Sequence, residues 1–144
     1  MENILKTQTV AKSDVIDMLK QKGISPTQQR VEIAQILFSK PQHLSADQVM
    51  GIVNNGTQRV SKATVYNTLG LFAGKGLVRE VIVDPTKIFY DSNIQAHHHF
   101  YNVDSGELMD INSQSIQLNR YPDLPADTEA EGIDIVVRLR NKNA

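Results

Sequence analysis

Near Gly74 the chain changes rhythm. Before it, apolar residues recur at helical spacing; after it, β-branched residues crowd into short runs, so the fold must supply helices first and sheet second. Four helical segments are expected. Residues 10–23 carry Val15, Met18 and Leu19 on one face, with Ser13 or Asp14 near the start and Gly23 as a stop. Residues 25–40 open on Ser25-Pro26-Thr27 and carry Val31, Ile33, Ala34, Ile36 and Leu37. Ser45 and Gln48 have the spacing of a capping box for a third helix that ends at Asn54-Asn55-Gly56, and Ser61 caps a fourth that runs to about Gly74. The β-branched run 77–83, the turn Asp84-Pro85-Thr86-Lys87 and the return 88–90 make a hairpin. A helix-turn-helix followed by a hairpin is a winged helix, so residues 1–91 form a candidate DNA-binding domain, closed by a polar hinge over 91–95.

The rest, residues 92–144, is expected to be a second, smaller domain. Strands are predicted over 98–103, 107–111 and 133–140, a helix over 112–119 and a loop over 121–132. A small sheet with one helix buries little surface alone. Such a unit commonly completes itself across a twofold axis, which also suits a DNA reader that meets two half-sites. The fold class is therefore α+β: an N-terminal winged helix-turn-helix and a C-terminal α/β dimerisation domain.

In the fourth helix Val65, Leu69 and Phe72 share one face. The opposite face shows Ala63, Tyr66, Asn67 and Gly70, with Lys62 and Thr64 near the N-terminal end. Small residues admit a close approach to a groove, an asparagine can bond an adenine edge with two hydrogen bonds, and a tyrosine can pack on a thymine methyl or bond a phosphate. The plainer alternative has Tyr66 packed on a neighbouring helix and Asn67 merely solvated.

Three of the four histidines, His97, His98 and His99, stand side by side. In an extended strand His97 and His99 would share a face and His98 would take the other. Two imidazoles on one face can hold a metal ion or a haem iron, or the run can be a solvated polar cluster. The chain has no cysteine, which excludes disulfides, thiolate zinc sites and thiol redox sensing, so any metal is held by nitrogen and oxygen. It has no apolar run long enough to span a bilayer, and its first residues lack the basic segment and apolar core of a secretory signal, so a cytoplasmic location and no membrane partner are expected. The net charge of −1 hides an uneven split: residues 1–84 hold ten Lys and Arg against seven acids, and residues 85–144 hold five against nine. A basic half suits a polyanion and an acidic half suits cations, though a solvated surface gives the same split.

Several stretches resemble the ferric uptake regulator family of metal-responsive repressors. They are Gly23-Ile-Ser-Pro-Thr-Gln-Gln-Arg30, His43-Leu-Ser-Ala-Asp47, Ala63-Thr-Val-Tyr-Asn-Thr-Leu69 and Gly76-Leu-Val-Arg-Glu-Val81. The second half is similar to the haem-responsive iron response regulator branch, in Tyr90-Asp91-Ser92-Asn93, His97-His98-His99-Phe100, Gly106-Glu-Leu-Met-Asp-Ile111, Leu124-Pro125 and Ile133-Asp-Ile-Val-Val-Arg-Leu-Arg140. The resemblance implies a homodimer that represses iron and haem homeostasis genes at a double-stranded DNA operator and is not an enzyme. It implies a hinge metal site of His43, Asp91, His97, His99 and Asp110 for Fe, Mn or Zn, and haem as an effector with His97, His98 and His99 as candidate ligands. Arg30, Ser61, Lys62, Thr64, Tyr66 and Asn67 are the candidate DNA contacts.

Departures from the family pattern are informative too. Asn102 and Ser105 stand where many members have the first pair of a four-cysteine structural zinc site, so that zinc is expected to be absent. His98 and Gln117 stand where other branches use carboxylates for a further metal, Ser25 replaces a lysine that reaches the minor groove in some relatives, and Asn67 follows Tyr66 where an arginine is usual. Within the family, a peroxide sensor or a Mn- or Fe-dependent co-repressor is the alternative. A metal enzyme could also use two histidines and a carboxylate, but nothing else in the sequence supplies a substrate pocket or an activated nucleophile.

Overall fold

The computed structural model describes residues 10–57, 59–95 and 97–143; the first residues, read above for an export signal, lie outside the described residues. The chain forms two compact units, Met1–Ile94 and Gln95–Ala144.

In the first unit, helices α1 (Lys12–Gln21), α2 (Gln28–Leu37), α3 (Ala46–Asn54) and α4 (Lys62–Gly74) are joined by short connections. Their ends follow from local chemistry. Thr27, Ser45 and Ser61 each accept a backbone N–H from the third residue of the helix they start, and the Gln48 side chain returns a bond to the Ser45 N–H, which completes the capping box. The start of α1 is different: its N-cap is Ala11, with no side-chain bond, rather than Ser13 or Asp14. At the far end of α4 the Leu77 N–H bonds the Phe72 carbonyl and the Gly76 N–H bonds that of Ala73. This double closure needs a left-handed residue, and Gly76 supplies it with φ of 76°.

Val15, Leu19, Val31, Ile33, Leu37, Val49, Leu69 and Phe72 form one core with Tyr90 from the hairpin. The wing is three-stranded rather than two. Strands β2 (Arg79–Asp84) and β3 (Lys87–Asp91) form the expected hairpin, and β1 (His43–Ser45) pairs with the other edge of β3, giving the order β1-β3-β2. His43 is thus a strand residue directly opposite Asp91.

The second unit holds β4 (His99–Asn102), β5 (Leu108–Asp110) and β6 (Val136–Leu139) in the order β5-β4-β6, antiparallel between β4 and β5 and parallel between β4 and β6. The helix expected over 112–119 does not form. The Asn112 side chain accepts the Gln114 N–H at 2.9 Å and its carbonyl accepts the Ser115 N–H at 2.9 Å, so the segment closes a single turn in place of a helix. Tyr101, Leu108 and Ile111 are buried here, while Leu118, Tyr121, Leu124 and Val137 are exposed. Among the described residues no helix is long and apolar enough to cross a membrane.

Candidate metal centre and nucleic-acid surface

In the first unit β1 and β3 place His43 and Asp91 as cross-strand partners, so the two side chains project from the same face of the sheet. Asp91 is 2% exposed and its Oδ1 accepts the Asn93 N–H at 2.9 Å. His43 is half-buried, with its ring edge-on to Phe89 at 6.3 Å.

The second unit collects the other three candidate ligands. His99 opens β4 directly opposite Asp110 on β5, and His97 precedes the strand with its ring 4.4 Å from that of His99. Both Nε2 atoms face one oxygen, Asp110 Oδ1, at 3.3 Å from His97 and 3.2 Å from His99. Ligand atoms of these three residues lie within 4.8 Å of one another. The tautomer of His97 follows from its other nitrogen. Nδ1 lies 2.7 Å from the Gln95 carbonyl, and a carbonyl can only accept, so Nδ1 carries the proton. Nε2 is the nitrogen that faces the carboxylate; unprotonated, it aims its lone pair at Asp110 Oδ1. Two acceptors at that distance repel unless a cation or a second proton lies between them. A nitrogen and oxygen donor set of this kind fits a divalent transition metal, and an imidazole whose far nitrogen bonds a carbonyl is the usual arrangement behind a metal ligand.

His98 points elsewhere. Its Nδ1 accepts the Ile135 N–H at 3.0 Å. A neutral imidazole that accepts at Nδ1 keeps its proton on Nε2, so His98 offers no free lone pair to a metal or a haem iron while that bond holds. The alternation of His97 and His99 against His98 was readable from strand periodicity; the engagement of His98 by β6 was not, because the partner lies far along the chain.

The candidate DNA contacts all lie in the first unit. Ser61 is occupied in capping α4: its Oγ accepts the Thr64 N–H at 3.1 Å and donates to Thr64 Oγ1 at 2.9 Å. Val65, Thr68, Leu69 and Phe72 face the core, and Lys62, Ala63, Tyr66, Asn67 and Gly70 are exposed. Tyr66 is 43% exposed, with Lys62 Nζ 5.8 Å from its ring centre, so it is not packed away against a neighbouring helix. Arg30 is half-buried on α2 and donates from Nη1 to the Ser25 carbonyl at 3.1 Å. With Thr27, Thr64 and Asn67 it lines a cleft of ≈ 290 Å³ between the start of α2 and the exposed face of α4. Sequence reasoning missed Thr68, which is buried on the core side of α4; a hydroxyl among apolar neighbours gave no sign of burial.

A helix-turn-helix with a three-stranded wing, followed by a small sheet that gathers two histidines and a carboxylate, defines a metal-responsive DNA-binding regulator. Residues 21–136 match the model of the ferric uptake regulator family. The chain is 33% identical over 104 residues to the peroxide-responsive repressor PerR of Staphylococcus aureus, covering 72% of this chain and 69% of that protein. Its fold matches the ferric uptake regulator from Pseudomonas aeruginosa solved with manganese, at a TM-score of 0.65, 27% identity and coverage of 88% of this chain and 97% of that one. The ferric uptake regulator from Francisella tularensis solved with iron shares the fold at a TM-score of 0.67 and 22% identity, over 83% and 93% of the two chains. The protein belongs to the ferric uptake regulator family: it is a regulator of transcription and not an enzyme.

Proposed function

We propose that the chain acts in the cytoplasm as a homodimeric repressor of iron and haem homeostasis genes, with a DNA-binding domain over residues 1–91 and a dimerisation and sensing domain over residues 92–144. In this reading His43 and Asp91 of the first unit join His97, His99 and Asp110 of the second around one divalent ion, Fe, Mn or Zn. The observation that carries it is the convergence of His97 Nε2 and His99 Nε2 on one carboxylate oxygen, Asp110 Oδ1, at 3.3 Å and 3.2 Å, a nitrogen and oxygen donor set that suits a divalent ion. The manganese in the Pseudomonas aeruginosa relative supports a metal of this class. Because the ligands come from both sides of the hinge, a ligand that prefers one arrangement of the two domains shifts the population of DNA-competent dimers. The exposed Leu118, Tyr121, Leu124 and Val137 supply apolar surface for a second copy.

On the DNA side, Tyr66 and Asn67 read base edges while Arg30, Lys62, Thr64 and the cap at Ser61 set the approach of α4 to the backbone. Haem is the finer effector that the iron response regulator resemblance implies. With the Nδ1 of His98 engaged by Ile135, His97 or His99 would hold it, in competition with the divalent ion. The test is an operator titration with Mn(II), with Fe(II), with haem and with none. Metal-dependent affinity that haem reverses supports the reading; affinity indifferent to every metal sinks it.

A peroxide sensor is the second reading, favoured by the identity to the Staphylococcus aureus peroxide-responsive repressor. Mass spectrometry after exposure to Fe(II) and peroxide decides it. Oxygen added to His43, His97 or His99 supports it, and three unmodified histidines remove it.

A further inference from the structure

The residue between the two histidine ligands has its own bonds. The His98 carbonyl accepts the N–H of Ile111, the residue after Asp110, at 2.9 Å, and its Nδ1 accepts the N–H of Ile135, the residue before β6, at 3.0 Å. The next residue adds a bond from the His99 N–H to the Ile135 carbonyl at 3.1 Å. At the mouth of β4, one residue therefore clasps the exit of β5 on one side and the entry of β6 on the other. Both strands are short: β5 pairs with β4 through three residues and β6 through four. The far end of β6 is held separately, by the Val103 N–H on the Leu139 carbonyl and the Asn141 N–H on Asp104 Oδ2, so its near end depends on His98 and His99.

We propose that His98 is a positioning residue for the metal centre, acting through its Nδ1 as the clasp that fixes His97 and His99 against Asp110. This rests on the reading of those three residues as metal ligands. The main-chain half of the clasp survives any side-chain replacement, whereas the Nδ1 half is particular to the side chain. Without that acceptor the Ile135 N–H loses its partner, the entry of β6 loosens from β4, and the backbone that carries His97 and His99 is braced on the β5 side alone. Such an outer partner typically changes metal affinity by roughly 10–100-fold.

The experiment uses the full chain and three variants. His98→Asn places an amide oxygen where Nδ1 lies and keeps the acceptor; His98→Gln places its amide group nearer the position of Nε2; His98→Ala removes the function. Mn(II) affinity by competition, the visible spectrum of the Co(II)-loaded protein and hydrogen exchange at the Ile135 amide are measured on each. The expected pattern is binding, spectrum and Ile135 protection close to wild type for Asn, and affinity lower by about 10–100-fold with an altered Co(II) spectrum for Ala and Gln. If wild type binds and His98→Ala binds as tightly with the same spectrum, the clasp is refuted while the metal reading stands. An asparagine variant as impaired as alanine refutes it too, since the acceptor would not be what matters. A wild-type chain that takes up no Mn(II) or Co(II) fails at the earlier step, and both readings fall together.

Discussion

A backbone carbonyl settles the chemistry of His97, because the Gln95 oxygen can only accept and the imidazole must therefore donate from Nδ1. The nitrogen left over is the one aimed at Asp110. His97→Ala removes a ligand itself, so its Mn(II) affinity should fall by more than the roughly 100-fold upper range of an outer-partner change, read by competition titration. Retained affinity would place the ion elsewhere. A second residue makes a pH prediction. Burial, then the negative charge of Glu80, then that of Tyr66, raise the Tyr90 phenol above its ordinary 10.0. The folded phenol thus holds its proton after the unfolded one has lost it, so the stability it contributes is intact below that value and is lost as pH rises through the folded one. Urea midpoints should fall between about pH 9 and about pH 11 less steeply in Tyr90→Phe than in wild type. Equal slopes would show that the phenol titrates alike in both states.

At the scale of elements, α4 divides its work between two faces, and the predictions divide with it. Asn67→Ala should cost about 1–3 kcal/mol of discrimination at one operator position, with other positions unaffected. Lys62→Ala should weaken all duplexes alike and reduce the salt slope of log K by about one. Binding measured on a set of operator variants across a salt series separates the two; a base-specific effect from Lys62 would invert the assignment. Elements also show what could be read ahead of the structure. Helices α2, α3 and α4 announce themselves through Thr27, Ser45 and Ser61 and through apolar spacing, because capping and amphipathicity are local properties. Strand β1 does not. His43, Leu44 and Ser45 show no alternation of their own and become a strand only because β3 lies beside them. The helix expected over 112–119 fails for the opposite reason: the Asn112 side chain takes the Gln114 N–H and its carbonyl the Ser115 N–H, a local closure that competes with a helix. Of the candidate site, His97 and His99 stood out as residue types, whereas Asp110 entered only through the family resemblance, since an acid at a strand end is ordinary. The role of His98 was not legible, because Ile135 reaches it only through the parallel pairing of β4 with β6.

For the whole molecule, each unit is described by its own buried residues. Among the described residues, the first unit buries a helical cluster centred on Leu19, Leu69 and Phe72, and the second buries Tyr101, Leu108 and Ile111. Phe72→Ala should cost about 3–5 kcal/mol. Hydrogen exchange should show that loss in α1 to α4, with the amides of β4 and β5 keeping their protection; equal loss in both units would mean that they unfold as one.

Asp110 leaves 60% of its side chain in water, whereas His99 leaves 2%. An ion between them would have protein behind it and solvent in front, and the turn of one carboxylate would be enough to let it go. Release from such a position would need no strand to part. On the metal reading proposed above the consequence would be kinetic: such a chain would follow the free metal pool as it rises and falls.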